Sequence, residues 1–489
     1  MRIGATLTLL LLFMSADTAA QETDITSDLY ETYKDYRENS LGERRIKHAD
    51  IRPLLKKLAM DPKYTVRVVG ESIEGRDLTL VSIGSGPTSV FLWSQMHGDE
   101  PTATQAIFDI FNFLDGPAFV QEKEDILSKL TLHFLPMLNP DGAEAYTRRN
   151  RLGIDINRDA LHLQSPEGRT LKKVRDSLDA DFGFNLHDQS TYYNAERTSK
   201  PATISYLAPA YNYEKDINEV RGNAMKVIVF MNRILQKYAP GQVGRYNDDF
   251  EPRAFGDNIQ KWGTSAILIE SGGYPNDPEK QEIRKLNYVS ILSALYTIAK
   301  ENYADIPLED YEKIPENDRK LFDLKLEGIT YGLLGKDYLM DLGFQRNEVD
   351  VAGHSDFYYS SSIADQGDLS TFYGYETLEA SGYRAIAGKV HPKTFASVTS
   401  LTETQILEFL KSGYTYLRVS EFPSQKQVPL PINVVGSEFK APTLRFWVGL
   451  NPSFLLEREG KIEYAVINGF LIDLKGGDSN FKNALTYKK

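Results

Sequence analysis

Four short apolar runs limit, more than any other feature, how this chain can fold. Each run is continuously apolar rather than alternating, which is typical of strands buried on both faces of a sheet. Stretches with helical character separate the runs, and strands that alternate with helices favour a largely parallel sheet covered on both sides. The sequence therefore predicts an α/β fold, a three-layer sandwich with a mostly parallel mixed sheet, built on residues 89–96, 130–135, 182–186 and 264–269.

The segments around these runs extend the prediction. Residues 65–83 contain two apolar stretches on either side of Glu74-Gly75, which is the pattern of a hairpin at the edge of a sheet. Helices are expected in the charged and periodic stretch 25–60, and at 101–114, 168–178, 217–238 and 278–299.

The character of the chain changes after residue 304. Residues 305–317 are acidic and contain Pro307 and Pro315, so we predict a linker there. Residues 318–489 are rich in Gly, Tyr, Ser and Thr and carry short alternating runs, which predicts a β-rich accessory domain. The α/β domain is accordingly expected to span residues 21–304.

The first twenty residues have the pattern of a secretory signal. Arg2 precedes a short apolar run, and small residues end at Thr18-Ala19-Ala20. A membrane anchor would need about 20 apolar residues, which is longer than this run. We therefore predict a signal peptide at residues 1–20, a mature chain that is secreted or periplasmic, and no membrane span.

Composition excludes several kinds of function. Lys and Arg total 56 against 68 Asp and Glu, and the resulting net charge of -12 argues against nucleic acid as the main partner. The chain has no cysteine, which excludes disulfides, thiol nucleophiles, iron–sulfur clusters and cysteine-ligated zinc. Any metal must therefore be held by His, Asp or Glu.

Candidate metal ligands follow two of the apolar runs. His97 and Glu100 form an H-x-x-E pair in the turn after the first run, and His187 ends the third run. Two imidazoles and a carboxylate with an open fourth position are typical of a catalytic zinc site. Asp188 or a backbone carbonyl could orient one of the imidazole rings. The alternatives are a solvated loop for the first pair and an ordinary core position for His187.

Other polar residues lie where a sheet of this kind binds ligands. Glu270 directly follows the fourth run, so it should lie at the carboxyl edge of the sheet, either as an exposed strand end or as a general base.

A local cationic loop comes between the second and third runs. Guanidinium groups bind carboxylates and can stabilise an oxyanion, although a solvated basic loop is the alternative. The loop contains Arg148, Arg149, Arg151 and Arg158.

The order of these elements resembles a known family, the zinc metallocarboxypeptidases of the carboxypeptidase A type. The signature of that family is H-x-x-E, N-P-D-G, R-x-N, G-x-D-x-N-R, a lone His and a Glu at a strand end. The chain is similar to it, in the same order, at residues 97–100, 139–142, 148–150, 153–158, 187 and 270.

The resemblance implies an exported enzyme that uses one Zn²⁺ per chain to hydrolyse the C-terminal bond of peptides or proteins. Tyr246 is a candidate for the family's substrate-capping tyrosine, and a plain surface tyrosine is equally open. Arg149 and Arg151 are alternatives for the arginine that stabilises the oxyanion. The implied site consists of the zinc ligands His97, Glu100 and His187, the general base Glu270, the oxyanion-stabilising Arg148, and Asn157 with Arg158 on the substrate carboxylate.

Two other functions stay open at this point. A zinc amidase or deacylase, acting on cell-wall or other non-protein amides, would use the same metal and the same Glu270. A non-catalytic binding protein on a decayed peptidase fold would place its activity in the β-rich domain, although the complete set of ligands argues against decay. No pattern in the sequence indicates an oligomeric state.

Overall fold

The computed structural model describes residues 26–477 and 479–488. The chain divides into two compact units, and the division falls between Arg319 and Lys320. The signal peptide predicted at residues 1–20 lies outside the described residues. Among the helices that the structure describes, none is long and apolar enough to cross a membrane.

A mixed sheet of eight strands forms the centre of the first unit. Its strands are β1 (Thr65–Glu71), β2 (Asp77–Gly84), β3 (Thr88–Ser94), β4 (Leu130–Leu135), β5 (Phe182–Asp188), β7 (Ile204–Leu207), β8 (Val243–Arg245) and β9 (Ser265–Ser271). The spatial order is β1-β2-β4-β3-β5-β9-β7-β8. The central strands β4, β3, β5 and β9 are parallel to one another. The pairs β1–β2, β2–β4 and β7–β9 are antiparallel, and β8 at the far edge is parallel to β7.

Helices cover this sheet on both sides. Along β3, Val90 and Leu92 pack into one hydrophobic cluster, while Phe91 and Trp93 pack into a second cluster on the opposite face. This alternation explains why the run is continuously apolar, since both faces of the strand are buried. Among the described residues of the unit, the α-helices include His48–Ala59, Thr102–Asp115, Val120–Lys129, Pro140–Ala145, Pro166–Leu178, Glu219–Leu235, Phe255–Lys261 and Gln281–Lys300.

The predicted α/β sandwich is confirmed. All four apolar runs are central strands, the hairpin at residues 65–83 is the antiparallel edge, and the four long helices lie within a few residues of their predicted positions. The prediction did not include β7, β8 or the helices Val120–Lys129 and Phe255–Lys261. Elements as short as β8, with three residues, are too brief for a periodic pattern to develop.

The segment predicted as a linker is part of the first unit. Residues 308–313 form a 3₁₀-helix, and Ile306, Tyr311 and Ile314 are buried in the main hydrophobic cluster. Strand β10 (Asn317–Asp318) then pairs with β6 (Asn194–Ala195) in a small separate sheet. The apolar residues that lie between the acidic and proline residues hold this segment against the unit. The overall composition of the segment does not reveal their role.

The second unit is β-rich, as predicted. The single α-helix that the structure describes there is Glu403–Lys411. The strands are β11 (Leu321–Leu333), β12 (Lys336–Asp350), β13 (Phe357–Gly367), β14 (Tyr373–Glu379), β15 (Arg384–Ala387), β16 (Lys389–Phe395), β17 (Tyr414–Val419), β18 (Gln427–Val428), β19 (Asn433–Val435), β20 (Ser453–Arg458), β21 (Lys461–Ile467), β22 (Phe470–Asp473) and β23 (Ala484–Tyr487). An eight-stranded sheet has the order β13-β12-β11-β15-β20-β21-β22, with β14 also paired to β11, and a five-stranded sheet has the order β16-β17-β19-β23-β18.

Candidate metal centre and active site

The three predicted metal ligands converge at the carboxyl edge of the central sheet. His97 and Glu100 lie in the turn between β3 and the helix Thr102–Asp115, and His187 lies near the end of the neighbouring strand β5. One ligand atom from each of the three residues falls within 4.8 Å of the others. All three residues are buried, so the cluster is enclosed by protein rather than spread over the surface.

Glu100 lies between the two imidazoles. Its Oε1 is 2.8 Å from Nδ1 of His97, and its Oε2 is 2.7 Å from Nδ1 of His187. The backbone N–H of Asp188 also donates to Oε2 at 3.2 Å. The two histidines therefore present the same ring nitrogen, Nδ1, toward one carboxylate.

The charges of these three groups depend on one another. Burial by itself lowers the pKa of His97, but the charge of Glu100 and the hydrogen bonds to Asp155 and Glu100 outweigh it and raise that pKa to about 9. Burial lowers the pKa of His187, and Glu100 only partly opposes it. For Glu100, burial raises the pKa, but the two imidazoles outweigh burial and hold the pKa below its ordinary value. The site therefore favours an ionised carboxylate between two imidazoles.

Asp155 fixes the orientation of one of these imidazoles. Its Oδ1 is 3.2 Å from Nε2 of His97, and the same oxygen accepts the N–H of Asn157 at 3.0 Å, which caps the 3₁₀-helix Ile156–Arg158. A carboxylate on Nε2 favours the tautomer that leaves Nδ1 free to bind a metal. The possibility that Asp188 orients a ring is wrong, because its carboxylate accepts hydrogen bonds from Thr102 and Lys280 instead.

Glu270 lies beside the cluster on strand β9. It is the residue paired with His187 in the parallel β5–β9 ladder. Burial and then the charge of Glu100 raise the pKa of Glu270 well above its ordinary value. Among the described residues, neither Oε2 of Glu270 nor Nε2 of His187 has a hydrogen-bond partner, although both atoms are buried. A carboxylate oxygen that is desolvated and unpaired is suited to accept a proton from a substrate or a water.

The guanidinium of Arg148 reaches the same cluster. Its Nη1 lies 3.1 Å from Nδ1 of His97 and 3.4 Å from Oε1 of Glu100, and its Nε donates to Oδ2 of Asp155 at 3.0 Å. Arg149 and Arg151, the two alternatives, instead contact the carbonyl of Gly153 and the carboxylate of Glu74, respectively. Arg148 is thus the arginine of this loop that the fold brings to the candidate ligands.

Asn157 and Arg158 lie in the short helix that Asp155 caps. Asn157 is buried, and its Oδ1 accepts the N–H of Phe255 at 2.9 Å. The Arg158 side chain is 36% exposed and its Nε lies 3.5 Å from a carboxylate oxygen of Glu251, so the guanidinium is open to solvent and already faces an anion. Arg158 is therefore accessible to a carboxylate ligand, and the short helix that carries both residues is tied through Asp155 to His97.

Tyr246 also lies near the candidate base. Its ring packs edge-on against Tyr193, with the ring centres 5.9 Å apart. Burial, and after it the charge of Glu270, raises the pKa of the Tyr246 phenol. The Tyr246 phenol is therefore within electrostatic range of the Glu270 carboxylate.

The residues present fit a zinc ion. Two imidazole nitrogens and a carboxylate oxygen are the donor set of catalytic zinc sites, and a carboxylate on the far nitrogen of a ligating histidine is their usual support. The chemistry of the donors, their mutual approach within 4.8 Å and the support from Asp155 all meet this requirement.

Comparison with known proteins agrees with this geometry. Residues 51–231 match the family model described as zinc carboxypeptidase. That segment contains every proposed site residue except Tyr246 and Glu270, which lie beyond it.

Two of the relatives that match part of the chain are named carboxypeptidases. Carboxypeptidase E of Caenorhabditis elegans is 30% identical over 122 residues, which cover 21% of this chain and 26% of that protein. Carboxypeptidase SOL1 of Arabidopsis thaliana is 28% identical over 175 residues, covering 29% of this chain and 35% of that protein. The chain therefore spans about a quarter to a third of the length of these relatives.

Solved structures align with about half of the chain. The metallo-carboxypeptidase from Burkholderia cenocepacia aligns at 17% identity and a TM-score of 0.43, over 52% of this chain and 69% of that one. The carboxypeptidase A from Helicoverpa armigera aligns at 15% identity and a TM-score of 0.42, over 58% of this chain and 81% of that one. Residues 51–231 of this chain are thus similar to the zinc carboxypeptidase family.

Proposed function

We propose that this chain is an exported zinc carboxypeptidase that hydrolyses the C-terminal bond of a peptide or protein. The observation that carries the proposal is the convergence of His97, Glu100 and His187 within 4.8 Å, with Glu270 paired directly to His187 on the next strand. A metal site that served only the structure would not require a buried, unpaired carboxylate oxygen, such as Oε2 of Glu270, next to its ligands.

Each proposed role follows from the local chemistry. Zinc, when held by the three ligands, acts as a Lewis acid toward the scissile carbonyl. Glu270 accepts a proton at Oε2 from the attacking water and returns it to the leaving amine. Burial and the charge of Glu100 raise the pKa of Glu270, which makes its carboxylate a stronger proton acceptor.

The arginines supply positive charge at two positions. Arg148, whose Nη1 reaches His97 and Glu100, stabilises the oxyanion that develops on the scissile carbonyl. Arg158 and the amide of Asn157 bind the terminal carboxylate of the substrate. The carboxylate of Asp155 accepts a hydrogen bond from Arg148 and also caps the short helix that carries Arg158. One carboxylate thus helps to position both arginines.

Export is the second part of the proposal and rests on the sequence pattern of residues 1–20. Expression of the full chain in a secreting host should yield a mature protein whose first residue lies near Gln21. A full-length protein retained in the cytoplasm would contradict export without affecting the proposed chemistry.

The decisive test of the chemistry compares two versions of one peptide, one with a free C-terminal carboxylate and one with a C-terminal amide. The proposed role of Arg158 predicts cleavage of the first and about 10–100-fold slower cleavage of the second, since a charged hydrogen-bonded pair is worth about 1.5–3 kcal/mol. Equal rates on both peptides would favour a zinc amidase or deacylase instead. Mass spectrometry of the products identifies the bond that is cut.

Zinc dependence is tested on the same protein. A chelator should abolish cleavage, and added Zn²⁺ should restore it. His187→Asn should lose bound zinc, whereas the matched control His162→Asn, at an exposed histidine outside the cluster, should keep it. Wild-type protein that binds no zinc would favour a non-catalytic binding protein.

A further inference from the structure

A buried ion pair lies behind the candidate metal site. Nζ of Lys280 donates to Oδ2 of Asp188 at 2.9 Å, and both side chains are 6% exposed. Lys280 directly precedes the helix Gln281–Lys300, where its backbone has a positive φ of 51°. Neither residue takes part in the mechanism described above.

The pair connects the three chain segments that carry the site. Asp188 directly follows His187, and Thr102, which lies two residues after Glu100, donates to Oδ2 of Asp188 at 2.6 Å. Nζ of Lys280 also donates to the carbonyl of Ser271 at 2.9 Å, and Ser271 directly follows Glu270. One ammonium and one carboxylate thus tie together the ends of β5 and β9 and the start of the helix Thr102–Asp115.

Backbone contacts hold Lys280 in place for this task. Its N–H donates to the carbonyl of Asp277 at 3.1 Å, and its carbonyl accepts the N–H of Arg284 at 2.8 Å. The turn before the helix therefore directs the lysine stem inward, even though a lysine at the start of a helix would ordinarily extend into solvent.

Stability alone is a poor explanation for such a pair. Removing two charges from water is costly, and well-packed apolar residues often stabilise a protein as well as a buried ion pair does or better. What the pair supplies and apolar residues do not is a set of directional, charge-assisted hydrogen bonds to three separate segments. Catalytic sites need such support, because their groups must be held to within a fraction of an ångström.

We propose that Lys280 and Asp188 are positioning residues that set the placement of Glu100, His187 and Glu270 relative to one another. The inference rests on the proposed zinc carboxypeptidase function. The ammonium joins the strand end that bears Glu270 to the carboxylate that follows His187, and Thr102 joins the same carboxylate to the turn that bears Glu100. The pair thereby acts on metal affinity and on turnover without touching metal or substrate.

The test uses three variants of the full zinc-loaded chain and a matched control. Lys280→Met removes the ammonium and Lys280→Arg keeps a buried cation. The double variant, Lys280→Met with Asp188→Asn, removes both charges and leaves an amide oxygen that can still accept the hydrogen bond from Thr102. The control is Lys325→Met in the second unit, because Lys325 is also buried and also donates to one carboxylate and one backbone carbonyl. The measurements are the melting temperature, the zinc dissociation constant by competition with a chelator, and kcat and KM on the peptide with a free C-terminus.

The expected result separates positioning from stability. Lys280→Met should weaken zinc binding by about 10–100-fold and lower kcat with little change in KM, as loss of a group that supports metal ligands does. Lys280→Arg should recover part of both losses. The double variant should regain most of the melting temperature, since it leaves no unpaired buried charge, but not the zinc affinity or kcat. Lys325→Met should change neither zinc affinity nor kcat.

Two outcomes would overturn the inference. One is wild-type zinc affinity and kcat in the double variant once its melting temperature has recovered, because the pair would then serve stability only. The other is wild-type zinc affinity and kcat in Lys280→Met itself. If Lys280→Met does not fold, the double variant and Lys280→Arg decide. The zinc measurement needs no peptidase activity, so a wild-type protein that binds zinc but cuts no peptide would refute the proposed function while the variants still decide the positioning role.

Discussion

His187 and Glu270 are paired residues on the neighbouring parallel strands β5 and β9. Paired residues in a ladder direct their side chains to the same face of the sheet, and a slip of one residue would send one of them to the opposite face. The backbone hydrogen bonds of two buried strands therefore place a candidate metal ligand next to a candidate base. The relation does not depend on a loop that could move.

Replacing the candidate base tests this relation directly. Glu270→Gln keeps the shape of the side chain but removes the oxygen that accepts a proton, so kcat should fall by about 10²–10⁴-fold. Zinc content should stay at the wild-type level, because Glu270 is not one of the three ligands. Metal analysis and steady-state kinetics on the same preparation check both statements. Loss of zinc together with activity would instead make Glu270 part of the metal site.

Asp155 is expected to control metal affinity from outside the ligand set. Asp155→Asn removes the negative charge that Nε2 of His97 and Nε of Arg148 both contact. Zinc affinity should fall by about 10–100-fold, which is the usual effect of losing the carboxylate that supports a ligating histidine. Competition with a chelator measures this change. An unchanged dissociation constant would show that the His97 ring is held by packing alone.

Arg158 is expected to govern substrate binding. Arg158→Met should raise KM by about 10–100-fold with a smaller effect on kcat, because a hydrogen bond between charged groups is worth about 1.5–3 kcal/mol. Arg149→Met is the matched control, since Arg149 is an exposed arginine of the same loop that contacts the carbonyl of Gly153. Equal KM values for the two variants would remove Arg158 from the substrate site.

Asp257 is expected to make stability depend on pH. Burial raises its pKa from 3.8 to about 7 in the folded protein, in the first turn of the helix Phe255–Lys261. A carboxyl with a raised pKa stabilises the fold fully below its unfolded pKa, and that contribution is lost as pH rises through the folded pKa. Asp257→Asn should therefore gain stability over the wild type as pH rises, by about 2 kcal/mol between about pH 5.5 and about pH 8.

Chemical denaturation of both proteins at the two pH values measures this gain. The asparagine keeps an oxygen that can accept the N–H of Glu251, as Oδ1 of Asp257 does at 2.9 Å, so the substitution changes the charge and little else. A stability difference between variant and wild type that stays constant across this range would show that Asp257 does not titrate there.

The sequence by itself determined those features of this protein that depend on residues close together in the chain, namely the strands and the residues at their ends. Continuous apolar runs specify strands buried on both faces, and the strand ends carry His97, His187 and Glu270, so the edge of the sheet where the site lies could be predicted before the structure was known. The motif Gly153-x-Asp155-x-Asn157-Arg158 also includes Asp155. Its place in that motif was a signal that could have marked Asp155 as a site residue, although the prediction assigned it no role.

Only the tertiary structure decided which distant residues meet. Asp155 lies 58 residues from His97, and Lys280 lies 92 residues from Asp188, yet each pair is in hydrogen-bond contact. The residues just before the helix Gln281–Lys300 do not distinguish Lys280 from a solvated lysine. Its burial results from packing against Asp188 and Ser271, which lie in other segments of the chain. Local patterns record what a residue does with its neighbours in sequence, whereas the support of a site depends on contacts that exist only once the chain has folded.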